Sequence, residues 1–535
     1  MWNRFLQVGA LLLAALTWCG RADVSGQASK TATKGQTMQP NAHNGLILTA
    51  VPRNDSGKPL LPEEAPQFEL HLRNEGSTAQ TLTSISGSLY SPTVRLFDDA
   101  GNGLGSYTPA ARGQRNIGDL SRFRPPPPRP VTLAPGAEET IVVNLWAYRD
   151  PLPPGRYHFD ALHSAGEELL TSNRVPFEIV PAQVQAMALS YDTAQRTNSV
   201  LAWLATPAGG QASRLLLRIS GFASHATAQV GATAHGDFIS GSRLAVSAKP
   251  PDSTAPPALG WVGTISGDKL QLIEHSMSEP RWRAPVVTLP LSAAVPVPRF
   301  PDRVHAVFLA TGSGKQGPAL AGVVAQESGG VPKPWLVPLS AVALHSACAF
   351  AMQGVISVLF SSDDGQHSRL HRIDLNEDGS VASQERVLRE TANEVLAVVS
   401  DMRSGAPSSF VVLEASREMH DQLAFVKFPL SGEPRATGLR VTAGWPTTGV
   451  GNDRKPSRAQ SLTLEIDNEG LPWVTLTDDR GDLIGGRMDG ALSVLREGRV
   501  GIAVLPHIGA LARGVTVSSF NRDGTLFHSS AAASH

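Results

Sequence analysis

The chain has 535 residues, 46 of them basic and 47 acidic, for a net charge of −1, and 41% are apolar. That balance gives no electrostatic footprint for nucleic acid or an anionic membrane, and the apolar share is too high for a disordered chain. With 50 glycines and 40 prolines in a moderately hydrophobic chain, many turns and short strands are expected, hence an all-β fold.

The first residues read as a targeting segment. Arg4 supplies the positive charge, Phe5 to Trp18 is an apolar run, and Gly20-Arg21-Ala22 ends it with small residues. This is the plan of a secretory signal peptide, residues 1–22, cut after Ala22. The run is shorter than the ~20 residues of a comfortable membrane span. An uncleaved anchor is one alternative. A lipid anchor at Cys19 is another, although Trp18 stands where a lipobox has a small residue. The expected location is exported, periplasmic or extracellular, with no membrane span after signal cleavage. Cleavage leaves Cys348 alone, so no internal disulfide is expected and stability must come from core size. Residues 23–45 are Ser-, Gln-, Thr- and Gly-rich without hydrophobic period, a flexible linker.

Residues 46–182 read as a first folded unit. Phe68-Glu69-Leu70-His71-Leu72-Arg73 alternates strictly, the period of a half-buried strand. Further strands are expected at 45–51, 80–83, 93–98, 131–133, 140–145, 156–159 and 175–180, separated by turn residues. Three turns recur in order: Asn74-Glu75-Gly76, Leu133-Ala134-Pro135-Gly136 and Pro153-Pro154-Gly155-Arg156-Tyr157. This succession resembles bacterial immunoglobulin-like domains, over about a quarter of the chain and without the Cys–Trp–Cys core of antibody domains. The resemblance implies a β-sandwich acting as spacer or adhesion unit. Arg124 to Pro130 holds four consecutive prolines, an exposed stiff loop.

Residues 184–535 carry a repeat. Leu201-Ala202-Trp203-Leu204-Ala205-Thr206 returns as Leu259-Gly260-Trp261-Val262-Gly263-Thr264 and Ala306-Val307-Phe308-Leu309-Ala310-Thr311, with looser copies centred on 358, 398, 473 and 517. The mean spacing is about 52 residues, near the ~50 of kelch-class propeller blades. The gap of 75 between 398 and 473 holds an insertion, 432–456. A C-terminal β-propeller of seven blades is expected, with six or eight as alternatives and a second sandwich plus barrel as the competing fold. The chain stops one strand short of a complete last blade. Met187 to Tyr191 is expected to supply that strand and close the ring.

One motif has metal-ligand spacing. Asp374, Asn376 and Asp378 place oxygens at positions 1, 3 and 5 of a loop, Gly379 follows at 6 and Glu385 at 12. Alternate oxygens on a tight loop wrap a hard cation, so calcium is the one cofactor this loop could take. Similar Asp-Gly turns at 364–365, 489–490 and 523–524 favour an ordinary hairpin turn, and no cofactor is otherwise expected. Ser361 to Gly365 matches half of the Asp-box of sialidase-type propellers, a structural turn. Arg480-Gly481-Asp482 lies in a hairpin, and no Gly-x-Ser-x-Gly or His-Glu-x-x-His occurs. The sequence therefore points to an exported binding or interaction protein for a protein or carbohydrate ligand, with the propeller face as binding surface and no nucleic-acid partner. A carbohydrate-active hydrolase or lyase with carboxylates at the channel is the alternative, and an envelope component without ligand the third. No catalytic residue is assigned.

Overall fold

In the computed structural model, the residues described are 44–53, 58–83, 92–108, 130–165, 168–191 and, beyond them, the strands and short turns given below. The signal and most of the linker, the proline run before Pro130, and Arg480-Gly481 lie outside the described residues. The described chain is all-β, with no α-helix and one 3-10 turn at Leu145–Ala147. Among the described residues no helix is long and apolar enough to cross a membrane.

The N-terminal strands are β1 (Leu46–Pro52), β2 (Gln67–Asn74), β3 (Gln80–Thr83), β4 (Thr93–Asp98), β5 (Gly103–Tyr107), β6 (Pro130–Leu133), β7 (Glu138–Asn144), β8 (Gly155–Ala165), β9 (Glu168–Thr171) and β10 (Val175–Ile179). One sheet has the order β1-β2-β7, a second β10-β8-β4-β5 with β9 beside β8, and β3 pairs β6. Phe68, Leu70 and Leu72 from the first sheet share one core with Val94, Leu96 and Phe159 of the second. Phe68 and Phe159 stack at 4.0 Å. The alternation read at 68–72 is the core face of β2, as the two-residue period of a strand requires. Two strands, β5 and β9, escaped the sequence reading. β5 (Gly-Leu-Gly-Ser-Tyr) is an exposed edge with no apolar face to betray it.

Two of the three turn motifs meet at Asn74, which is fully buried. Its Nδ2 donates to the Thr78 carbonyl at 2.8 Å and the Leu133 carbonyl at 2.9 Å, and its Oδ1 accepts from the Gly76 amide at 2.9 Å. Its backbone carbonyl accepts from Gly136. In the third motif the Tyr157 hydroxyl donates back to the Pro153 carbonyl at 2.8 Å.

From Ala182 onward the chain forms successive antiparallel meanders. Sheet 1 is β11 (Ala182–Tyr191), β12 (Asn198–Pro207), β13 (Ala212–Gly221) and β14 (Thr233–Ile239); sheet 2 is β15 (Arg243–Ala248), β16 (Gly260–Ser266), β17 (Lys269–His275) and β18 (Val286–Thr288). Sheet 3 is β19 (Ser292–Pro296), β20 (Ala306–Gly314), β21 (Gly317–Ala325) and β22 (Trp335–Pro338); sheet 4 is β23 (Leu344–Met352), β24 (Val355–Asp363), β25 (Ser368–Asn376) and β26 (Val381–Thr391). Sheet 5 is β27 (Glu394–Asp401), β28 (Ser409–Ala415), β29 (Leu423–Pro429) and β30 (Thr437–Val441), followed by the small pair β31 (Thr447–Thr448) and β32 (Lys455–Pro456). Sheet 6 is β33 (Ser461–Ile466), β34 (Pro472–Thr477), β35 (Leu483–Arg487) and β36 (Ser493–Arg496); sheet 7 has only β37 (Val500–His507), β38 (Gly514–Asn521) and β39 (Leu526–Ala532). First strands neighbour one another, β11 with β15, β23 with β27, β27 with β33 and β33 with β37, and β37 returns to β11. Apolar clusters fill the seams between sheets 2 and 3, 3 and 4, 4 and 5, and 5 and 6. This is the arrangement of a β-propeller.

The repeat was visible because second strands are buried on both faces: all seven inner positions of β24 and the first six of β28 are buried, whereas β26 is mostly exposed. Six of the seven copies fall on second strands. The copy centred on 398 is corrected, because it lies on β27, a first strand, and its counterpart is β28. With 411 as the anchor, the spacings from 358 and to 473 become 53 and 62, and the long gap disappears. The sequence misled here because Val395, Val398 and Val399 are themselves buried and apolar. The insertion holds β30, the outer strand of sheet 5, together with the β31–β32 pair.

The expected closure is also corrected. Met187 to Tyr191 belongs to β11, which pairs antiparallel with β12 of its own sheet, and sheet 7 keeps three strands. A hairpin partner a few residues away wins over one at the far end of the chain, because closing the short loop costs less entropy.

Candidate functional site

The residues predicted to bind calcium lie in sheet 4, on β25, its hairpin and β26. The structure does not bring them together. Along a strand side chains alternate, and here Asp374 and His371 occupy opposite faces of β25. Asp374 turns toward Ser357 and Arg372: its Oδ1 accepts from the Ser357 hydroxyl at 2.6 Å and from Arg372 Nε at 2.8 Å. Glu385 turns the other way, to His371 and Ser340. Asn376 Nδ2 donates to Ser380 Oγ at 2.9 Å, and Asp378 Oδ1 accepts from the Ser380 amide and hydroxyl at 2.9 and 2.6 Å. Asp374, Asp378 and Glu385 form no metal-binding group, and none of three or more His, Cys, Asp or Glu occurs among the described residues. The glycine at position 6 has another cause. Gly379 has φ +81°, and a Cβ there would lie 2.4 Å from the Trp335 ring of sheet 3. In the structure this glycine sits in a tight turn packed against the tryptophan ring.

Glu385 instead ends a polar line across three strands. Ser362 Oγ on β24 is 2.8 Å from His371 Nε2 on β25, and His371 Nδ1 is 3.0 Å from Glu385 Oε1 on β26. The Nδ1 contact lies off the ring N–H axis, so it is a close polar approach rather than an aligned hydrogen bond. The other Glu385 oxygen accepts from the Ser340 amide at 2.9 Å, and the Ser340 hydroxyl donates to Oε1. Ser340 follows β22, so the line crosses the seam from sheet 4 to sheet 3. Phe360 stacks on the His371 ring at 4.9 Å, nearly parallel. These are the distances of a hydroxyl, a base and an orienting carboxylate. A nucleophile must also meet substrate, and Ser362 and His371 are 7% and 4% exposed. The arrangement places a buried histidine between a hydroxyl and a carboxylate and joins two sheets. Sequence reasoning missed it because its members stand 9 and 14 residues apart on separate strands.

The half Asp-box is a turn held by its own carboxylates. Asp363 Oδ1 accepts from the Gly365 amide at 2.7 Å, and Asp364 Oδ1 from the Gln366 and His367 amides at 3.0 and 2.7 Å. Those amides, His367 first, lower the Asp364 pKa to about 2. Ser368 Oγ and Arg417 Nη2 of sheet 5 both donate to Asp363 Oδ2. On the same seam the carboxylate of Glu414, 1% exposed, accepts from Arg389 Nε at 2.8 Å and Asn393 Nδ2 at 3.0 Å. Cys348 is a buried thiol in the apolar cluster of that seam.

Burial lowers the His371 pKa against the opposing pull of Glu385, and burial takes His163 in β8 down to about 4. Unfolded histidine protonates near 6.5, whereas folded His163 takes up its proton only near pH 4 and His371 below its ordinary value. Stability is therefore complete above about pH 6.5 and falls as the pH drops toward 4, by about 2–3 kcal/mol for His163 alone. Urea midpoints between pH 7.5 and 4.5 check this, and His163→Gln is expected to flatten the slope. An unchanged slope in that variant would refute the assignment.

The two ends of the sheets differ. In an antiparallel meander the first-to-second and third-to-fourth connections share one end. By the bounds of the strands they join, in sheets 1 to 3 these are residues 192–197, 222–232, 249–259, 276–285, 297–305 and 326–334, six to eleven residues each and almost wholly outside the described residues. At the opposite end, 208–211, 267–268 and 315–316 are turns of two to four residues.

No protein-family model matches the chain, and no curated protein matches it. Among solved structures it is similar to an Aleuria aurantia lectin in complex with a fucosylated GlcNAc, at 11% identity over 60% of this chain and 97% of that one, TM-score 0.34. It is similar to an auxiliary nutrient binding protein from Bacteroides thetaiotaomicron, at 11% identity over 90% and 99%, TM-score 0.30. It is also similar to the β-propeller domain of Vanderwaltozyma polyspora Nup133, at 10% identity over 65% and 99%, TM-score 0.31.

Proposed function

We propose that the chain is an exported binding protein whose recognition surface is the long-connection end of sheets 1 to 3. In this reading the seven sheets are the blades of a seven-bladed propeller. The N-terminal sheets are an immunoglobulin-like sandwich that serves as spacer, and residues 1–22 direct export. The unequal connection lengths carry the proposal. Two-residue turns merely reverse a strand, whereas connections of nine to eleven residues exceed what closure needs and are where binding residues concentrate. The buried and half-buried carboxylates among the described residues are engaged by the chain itself, which favours binding over hydrolysis. Asp160, Asp363, Asp374, Glu385 and Glu414 each accept from an arginine or serine, and Glu63 and Glu64 from backbone amides. A net charge of −1 suits a neutral ligand, and a neutral carbohydrate is the class to test first.

The test is a glycan array on the purified full-length protein, followed by calorimetry on each hit. A variant with 249–259 replaced by a short Gly-Ser turn serves as comparison. Binding is expected for the parent and is expected to drop at least tenfold in the variant, with the melting temperature kept. No hit across the array, or full affinity in the variant, would overturn the reading.

A further inference from the structure

Among the described residues sheet 7 has three strands, and none of them pairs with a strand of sheet 1. Residues 59–65, between β1 and β2, lie against both sides of this seam. Leu61 is fully buried in one cluster with Val184, Leu201, Trp203 and Leu216 of sheet 1 and Phe520 of sheet 7. Trp203 and Phe520 meet at 5.2 Å. The two residues after Pro62 face opposite sheets. Glu63 Oε1 accepts from the Leu526 amide of β39 at 3.2 Å. Glu64 Oε2 lies 3.2 Å from Arg214 Nη1 of β13, and the same nitrogen donates to the Pro59 carbonyl at 2.8 Å.

The loop is itself anchored in the N-terminal unit. Trp146 Nε1 donates to the carbonyls of Glu63 and Glu64 at 3.2 and 3.0 Å. Leu60 exchanges backbone hydrogen bonds with Glu178 and Val180. Glu63 has φ +67°, a left-handed conformation that a non-glycine residue holds only where its surroundings impose it. The direct bond between the two sides, from the Ala182 amide to the Asp523 carbonyl at 2.9 Å, sits beside the loop.

We infer that Pro59 to Ala65 is the latch of the propeller: a loop of the N-terminal unit that closes the ring between its first and last sheets. The N-terminal unit thereby does more than space the ring, since it supplies part of the core between the first and last sheets. Removal of the latch opens the ring at this seam and leaves the other seams intact.

Hydrogen exchange resolved by peptide, on the full chain, tests this. Leu61→Ala is expected to speed exchange about tenfold or more in 182–207 and 514–532, with 292–391 unchanged, because sheets open locally where their packing is weakest. Leu48→Ala cuts a similar cavity on β1, in the N-terminal cluster that Leu60 and Ala65 join but Leu61 does not, and is expected to leave 182–207 and 514–532 protected. Glu63→Ala removes one acceptor only and covers the case in which Leu61→Ala fails to fold. It is expected to speed exchange of the Leu526 amide. Equal acceleration in all sheets, an effect of Leu48→Ala matching that of Leu61→Ala, or an unchanged Leu526 amide would overturn the latch.

Discussion

Arg389→Met is expected to lower stability by about 3–5 kcal/mol, read as a fall in the urea midpoint at pH 7.5. The magnitude follows from what the substitution leaves behind. Glu414 is 1% exposed, so its charge cannot recover a hydration shell when the guanidinium is gone. Asn393 and the Thr391 hydroxyl still donate to it at 3.0 and 3.3 Å, but neither carries charge. The double variant Arg389→Met with Glu414→Leu replaces both partners by apolar groups and is expected to recover most of the loss. A single-variant loss below about 1 kcal/mol would mean that the pair is solvated and behaves like a surface ion pair.

Asn74→Ala is the second large effect, about 3 kcal/mol. The side chain satisfies two carbonyls and one amide, and each buried group left unpaired costs about 1–3 kcal/mol. Asn74→Asp separates the causes. It keeps an acceptor for the Gly76 amide but sets a carboxylate oxygen against the Thr78 and Leu133 carbonyls, so it is expected to be no better than alanine. Limited proteolysis at the 75–79 and 133–137 turns, together with thermal unfolding, checks both. An aspartate variant as stable as the parent would show that the amide donors contribute nothing.

The order of the strands was largely legible, for a physical reason visible in β2 and β24. A strand with one buried face alternates, a strand with two reads as an unbroken apolar run, and both patterns stand out against Gly- and Pro-rich turns. Legibility failed where pattern is absent or shared. β27 carries the same valines as a second strand and took its place in the repeat. Residues 59–65 read Pro-Leu-Leu-Pro-Glu-Glu-Ala, with no period at all, yet Leu61 belongs to a core more than a hundred residues downstream. The loop at 374–385 met every spacing rule for calcium while its side chains diverge, because spacing records position along a strand and is blind to the face. The line from Ser362 to Glu385 had no local signature, since cross-strand register and not sequence separation creates it.

The polar contacts at the seams have one more consequence. Apolar faces attract without direction, and seven sheets of similar composition offer many wrong neighbours that bury nearly the same area. Ion pairs and hydrogen bonds to buried carboxylates are not interchangeable in this way. Sheet 5 placed beside any sheet other than 4 would bury Glu414 without Arg389 and part Arg417 from Asp363, and sheet 3 displaced from sheet 4 would strip Ser340 from Glu385. The seams thus carry addresses: burial drives the sheets together, and charge decides which sheet stands next to which.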